Sequence, residues 1–171
     1  GTGVDYIYNQ LGLRAGTNRV FSGTLLLDIV MPEDYDGDGI ADIAVFRPST
    51  SAAQVETFFY IINSSDNTVR IEQFGTRFDN PSIMGDYDGD GKADVAVYRN
   101  GATAGAQSFF WMKKSSNGEI VAQPLGISGD RPVLGDFDGD GKKDFSVARV
   151  VIATGESTFY TLRSSDGNYT V

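Results

Sequence analysis

The chain has no cysteine and no histidine among its 171 residues. That removes thiol and imidazole nucleophiles or bases, the Ser-His-Asp triad and any ordinary zinc site. Lack of cysteine is compatible with either redox compartment and so does not locate the protein. Positive charge is also scarce, with 14 Lys and Arg against 23 Asp and Glu and a formal net charge of −9. Phosphate contacts need a basic patch, and none is evident, so no nucleic-acid partner is expected. No signal peptide and no apolar run of membrane-spanning length is present, so no membrane insertion is expected. The opening residue is Gly1 and not Met, which leads us to expect a processed chain or a segment of a longer one. No stretch carries an amphipathic helical pattern.

What is present is a nine-residue acidic loop written three times, as DYDGDGIAD (Asp34 to Asp42), DYDGDGKAD (Asp86 to Asp94) and DFDGDGKKD (Asp136 to Asp144). Carboxylates stand at loop positions 1, 3, 5 and 9: Asp34, Asp36, Asp38 and Asp42, then Asp86, Asp88, Asp90 and Asp94, then Asp136, Asp138, Asp140 and Asp144. Four carboxylates so close repel one another unless a cation sits among them. Hard oxygen ligands at odd-numbered spacing, with glycine at positions 4 and 6 where the backbone must turn, predict Ca²⁺ at three sites. Magnesium fits less well, since it wants a smaller octahedral site and keeps its waters. These loops hold 12 of the 23 acidic residues, and three bound ions would bring the charge from −9 to −9 + 6 = −3. The acidity therefore belongs largely to the loops.

The EF-hand is the obvious rival. It requires a bidentate Glu at position 12 and helices on both sides, but position 12 is Val45, Val97 and Val147. The residues that follow each loop, IADIAVFR, KADVAVYR and KKDFSVAR, are short, β-branched or aromatic, and predict strands. Paired carboxylates for glycoside cleavage are disfavoured because the same set recurs in every copy, whereas catalysis needs one site.

The loops begin 52 and then 50 residues apart, a period that marks a propeller or another repeat array. Each repeat reads as four strands: one before the loop, one after it ending in Arg47, Arg99 or Arg149, an aromatic one, and an outer one. The aromatic strand runs into SSDN, SSNG or SSDG, a hairpin-closing signal. Pro124 suits an outer edge strand. The short runs SIMGD and VLGD are expected to be strands entering the second and third loops. The expected division is a partial blade over 1–24, complete blades over 25–75 and 76–126, and a blade over 127–171 whose last strand is cut short.

These residues resemble the FG-GAP or VCBS-type repeats, similar to the calcium-loop blades of integrin α-subunit propellers and of many bacterial secreted proteins. The resemblance is carried by the three DxDGDGxxD loops, the AVFRPS and AVYR segments, the aromatic strand and QFG, from about Ile29 onward. It implies an all-β propeller of four-stranded antiparallel blades with the metal loop between the first two strands. It also implies that the backbone carbonyls of Ile40, Lys92 and Lys142 join the aspartates as ligands. Two departures stand out. Glycine precedes the first aspartate as Gly85 and Gly135, but Glu33 takes its place in loop 1, where a distorted approach is expected. The blade count is also below that of closed propellers, so the open ends are candidates for self-association.

Calcium loops of extracellular affinity fill near millimolar calcium, which favours an extracellular or cell-surface setting. The function expected is a non-enzymatic protein-interaction or adhesion scaffold; the alternative is a calcium-dependent, lectin-like carbohydrate-binding module. A protein or glycan ligand would meet the loops at Arg47–Glu56, Arg99–Gln107 and Arg149–Ser157, or those at Gly75–Pro81 and Gly126–Pro132. Arg47, Arg99 and Arg149 are expected to pair with nearby carboxylates in preference to gripping an anionic ligand. Trp111, aligned with Tyr60 and Tyr160, is expected to pack a blade more readily than to stack a sugar.

Overall fold

The computed structural model describes residues 28–49, 56–151 and 153–171. The expected partial blade over 1–24 lies outside them. Eleven strands are formed: β1 (Ile29–Val30), β2 (Ile43–Arg47), β3 (Glu56–Ile62), β4 (Val69–Thr76), β5 (Val95–Arg99), β6 (Gln107–Lys113), β7 (Ile120–Ile127), β8 (Arg131–Val133), β9 (Phe145–Val151), β10 (Glu156–Leu162) and β11 (Tyr169–Thr170). There is no helix among the described residues, and therefore none long and apolar enough to cross a membrane. All pairings are antiparallel between sequence neighbours, giving three sheets: β1-β2-β3-β4, β5-β6-β7 and β8-β9-β10-β11. The fold is all-β, with sheets that follow one another like propeller blades.

Within each sheet the alternation of side chains decides what is buried. Strand β6 alternates buried Ser108, Phe110 and Met112 with half-exposed Phe109, Trp111 and Lys113. Two apolar cores lie between sheets. The first joins Tyr35, Phe46, Phe59, Ile61 and Phe74 of the first sheet to Met84, Ala93, Val95 and Val97 of the second. The second joins Tyr87, Tyr98, Phe110 and Leu125 to Val147, with Phe145, Tyr160 and Leu162 packed against it. The middle sheet thus buries one face on the first sheet and the other on the third, as stacked repeats do.

The hairpin signals act as expected. Asn67, Gly118 and Gly167 take φ of 59°, 74° and 68° and close equivalent turns, with Asn63, Lys114 and Arg163 N–H donating to Thr68, Glu119 and Asn168 carbonyls. Pro124 lies in β7, which pairs only with β6, and faces Phe109 beside a register shift. A proline at this edge removes no central ladder bond.

The strands entering the second and third loops differ from expectation. No strand forms over Ser82–Asp86; two isolated bridges, Asn80 with Tyr98 and Gly85 with Asp94, replace it. Strand β8 starts earlier than VLGD, at Arg131. The cause in the second sheet is one surplus residue, since seven steps separate Asp79 from Asp86 but six separate Asp28 from Asp34 and Asp130 from Asp136. The surplus is absorbed where Ile83 N–H donates to the Pro81 carbonyl at 2.7 Å, a three-residue turn that interrupts the strand.

Candidate metal centre

Each acidic loop is wound around its own first aspartate. Asp34 accepts the N–H groups of Gly37 and Gly39 at 2.7 and 2.8 Å. Asp86 accepts those of Gly89 and Gly91 at 2.5 and 2.8 Å, and Asp136 those of Gly139 and Gly141 at 2.6 and 2.9 Å. These glycines all have φ between 81° and 91°, a left-handed turn that a side chain would strain. The bonds from Gly141 and Gly139 hold the Asp136 carboxyl below its usual range.

The ninth residue closes the loop from inside. Asp42, Asp94 and Asp144 are essentially buried. In each, one oxygen accepts the N–H of the loop's second residue, Tyr35, Tyr87 or Phe137, at 2.7–2.9 Å. The other accepts the N–H of Ser64, Ser115 or Ser164, on the far hairpin, at 2.6–2.7 Å. Burial raises the Asp94 carboxyl, while the N–H groups of Ser115 and Tyr87 work against that rise.

The third and fifth residues are reached by serine hydroxyls. Ser65, Ser116 and Ser165 donate to Asp36, Asp88 and Asp138 at 2.6 Å. Ser64, Ser115 and Ser164 donate to Asp38, Asp90 and Asp140 at 2.8–2.9 Å. The hydroxyl bonds hold the Asp36 and Asp138 carboxyls below the usual range. The sequence had marked these serines only as turn residues. Their recurrence two and three positions before the left-handed turn residue was the available signal.

The loops also touch one another. Ala93 N–H donates to the Asp34 carbonyl, and Lys143 N–H to the Asp86 carbonyl, both at 2.7 Å. Glu33, Asp34, Asp86, Lys92, Asp136, Lys142 and Lys143 line a cleft of about 220 Å³ where the three loops meet. Burial raises the Glu33 carboxyl, Lys143 lowers it and Asp34 adds to the rise. The approach to loop 1 is not distorted. Asp42 N–H donates to the Glu33 carbonyl at 2.8 Å, matching Asp94 to Gly85 at 2.9 Å and Asp144 to Gly135 at 2.8 Å. Side-chain size is compensated across the loops: a Cβ on Gly85 would stand 2.7 Å from Lys143, whereas the corresponding neighbour of Glu33 is the small Ala93.

The donors fit a hard divalent cation. Asp34, Asp36 and Asp42 place one oxygen each within 4.8 Å of one another, as do Asp86, Asp88 and Asp90, and Asp136, Asp138 and Asp144. The geometry gathers three of the four expected carboxylates per loop into each such set; Asp38, Asp94 and Asp140 stay in the loop but outside it. Oxygen-only donors of this density suit calcium-like ions and not softer metals. Residues 86–147 match the FG-GAP-like repeat. The matched segment runs from the first aspartate of loop 2 through loop 3 into β9, and loop 1, outside the match, repeats the same DxDGDGxxD spacing. No curated protein and no solved structure matches the chain.

The repeated arginines pair with carboxylates, in the arrangement the sequence favoured. Arg47 clasps Asp28 through two bonds of 2.7 Å, Arg99 clasps Asp79 at 2.8 and 2.7 Å, and Arg149 clasps Asp130 at 2.8 Å in both bonds. Each guanidinium also lies over a ring, at 4.7 Å from Tyr60, 5.4 Å from Trp111 and 4.7 Å from Tyr160. Trp111 thus serves its blade, packed against the first core and beneath Arg99. The three aspartates were missed in the sequence, although Asp28, Asp79 and Asp130 recur every 51 residues. Asp79 and Asp130 further accept Thr76 and Ile127 N–H at 2.7 and 2.8 Å, closing the turn that leads out of the outer strand. Gly75 and Gly126 make that turn with φ of 82° and 79°; a Cβ on Gly126 would stand 2.6 Å from the Tyr98 hydroxyl.

Proposed function

We propose that this chain is a calcium-stabilised segment of a β-propeller that serves outside the cell or on its surface as a rigid, non-enzymatic scaffold for recognising another protein. The observation that carries the reading is the threefold recurrence of one oxygen cage whose carboxylates are each held by N–H or hydroxyl groups. Asp34, Asp36, Asp38 and Asp42 would hold an ion in loop 1, with the Ile40 carbonyl. The equivalent sets, with the Lys92 and Lys142 carbonyls, would do so in loops 2 and 3. The ion would supply charge neutralisation and a fixed geometry at the junction of successive sheets, and no chemical step.

Ligand contact falls to the connections at the other end of the strands, where loops carry recognition and the sheets supply rigidity. Of these, Arg99–Gln107 is fully described, whereas residues 50–55 of the first and residue 152 of the third lie outside the described residues. Equilibrium dialysis with calcium tests the metal reading, with three ions per chain expected at millimolar calcium. Uptake of none would overturn it. Ligand class is tested on arrays: calcium-dependent binding to glycans, in place of proteins, would turn the scaffold into a lectin-like module.

A further inference from the structure

We propose that the paired serines of the hairpin turns, Ser64-Ser65, Ser115-Ser116 and Ser164-Ser165, are positioning residues that set the calcium affinity of the acidic loops. The inference rests on the calcium reading above. The turns do not need these hydroxyls, because each closes through main-chain bonds such as Lys114 N–H to the Glu119 carbonyl and Gly118 N–H to the Lys114 carbonyl, both 2.9 Å. The hydroxyls point away from their own hairpin and across to a loop more than 20 residues earlier in the chain. The pattern is the same three times: the first serine on the fifth loop residue and the second on the third.

The physical consequence has two parts. A hydroxyl donor on each of two neighbouring carboxylates offsets their mutual repulsion before an ion arrives, so less ordering is required at binding. The donated bond also occupies one side of each carboxylate, leaving the remaining lone pairs to face the ion with a fixed orientation. Removing such outer partners of metal ligands lowers affinity by about 10- to 100-fold in other sites.

Loop 2 offers the test in the 171-residue chain. The amide signals of Gly89 and Gly91, which bond Asp86, report calcium at that loop by nuclear magnetic resonance. We expect the Ser115→Ala/Ser116→Ala variant to raise the calcium midpoint of these two signals about tenfold or more, with Ser115→Thr/Ser116→Thr restoring it. An unchanged midpoint in the alanine variant overturns the proposal, as does a raised midpoint that threonine fails to restore, because the effect would then belong to the hairpin and not to the hydroxyls. Ser116→Ala alone, which removes a single hydroxyl bond to Asp88, is expected to raise the midpoint in the same direction if the double variant fails to fold. No rise in that single variant overturns the proposal. Signals of the unaltered chain that ignore calcium would overturn the calcium reading itself, a result distinct from responsive signals that ignore the serines.

Discussion

Ala93 N–H donates to the main-chain carbonyl of Asp34 at 2.7 Å, and this one bond ties loop 2 to loop 1. The peptide that donates it is the Lys92–Ala93 unit, whose own carbonyl is the expected main-chain ligand of loop 2. Lys143 N–H repeats the contact on Asp86, joining loop 3 to loop 2. An ion drawing on a peptide carbonyl polarises the whole unit and strengthens the bond made by its N–H. The loops are thus wired in series.

Calcium binding at neighbouring loops is therefore expected to be coupled. Asp88→Asn, which weakens loop 2, should raise the calcium midpoints reported by Gly37 in loop 1 and Gly139 in loop 3 by about 5-fold, a coupling of about 1 kcal/mol. Midpoints in loops 1 and 3 that stay where they were would show three independent sites.

Chelation should cost stability. With an extracellular-type affinity of about 0.1 mM and about 1 mM free calcium, each ion contributes about 1.4 kcal/mol, or about 4 kcal/mol for three. In a chain of this size that corresponds to a melting temperature lower by about 10 °C. Scanning calorimetry with and without EDTA checks it, and coincident melts would remove calcium from the stability of the fold.

The clasp between Arg99 and Asp79 is expected to be structural. The Asp79 side chain is 1% exposed and the arginine 41%, so truncation at the arginine strands a buried carboxylate while losing little packing. Arg99→Ala should destabilise the chain by about 3 kcal/mol in a urea melt. Arg99→Lys should recover only part, since an ammonium cannot reproduce the two-pronged pairing of a guanidinium with Asp79. A loss under about 0.5 kcal/mol would return Arg99 to the candidates for ligand contact.

Repeated chemistry was the legible part of the sequence. Three aspartate loops, the valines that exclude the EF-hand and the aromatic strands suffice to place sheets, turns and candidate ligands, because each signal is local and occurs three times. What was not legible depends on distance. Ser116 reaches Asp88 across 28 residues and Arg99 reaches Asp79 across 20, and a dipeptide SS or a lone Asp carries no mark of such a partner. The missing strand before loop 2 is a different case: one surplus residue after Asp79 was visible as a 52-residue spacing, but only the turn at Pro81 tells where it is absorbed.

Acid should unfold the chain in a way that depends on Asp130. Burial opposes its ionisation, but the Arg149 guanidinium and the Ile127 N–H outweigh that and hold its carboxyl below the usual range. Asp36, Asp136 and Asp138 are held down as well. A carboxyl depressed by folding contributes stability that is present above its unfolded value of about 3.9 and is lost as pH falls through the folded one. Burial raises Asp94 and Glu33, so their contributions run the other way, fully present below the unfolded value and lost as pH rises through the folded one. In EDTA, stability is therefore expected to fall below about pH 4, and Asp130→Asn should lessen that fall while lowering stability at neutral pH. Circular dichroism across pH 2–7 reads both, and an acid limb identical in the variant would sink the assignment.

The face of the third sheet that has no successor among the described residues should associate with itself at high concentration. Phe59 and Phe110, buried at 0% and 1% by the next sheet, correspond to Phe159, which is 51% exposed. Tyr35 and Tyr87, at 0% and 6%, correspond to Phe137 at 52%. Burying one such ring is worth about 1.5–3 kcal/mol. The face is not uniformly apolar, however. Where the earlier sheets place Ala44 with Ile61 and Ala96 with Met112, the third pairs the Ser146 and Thr161 hydroxyls at 2.8 Å. An interface of two rings around a polar pair favours weak, reversible contact over a permanent dimer. Sedimentation equilibrium should accordingly show association only at high micromolar chain, removed by Phe159→Ser with the melting temperature nearly unchanged, because that ring supports little of the single chain. Monomers throughout the range, or association that survives Phe159→Ser, would mean that this face is not what joins the copies.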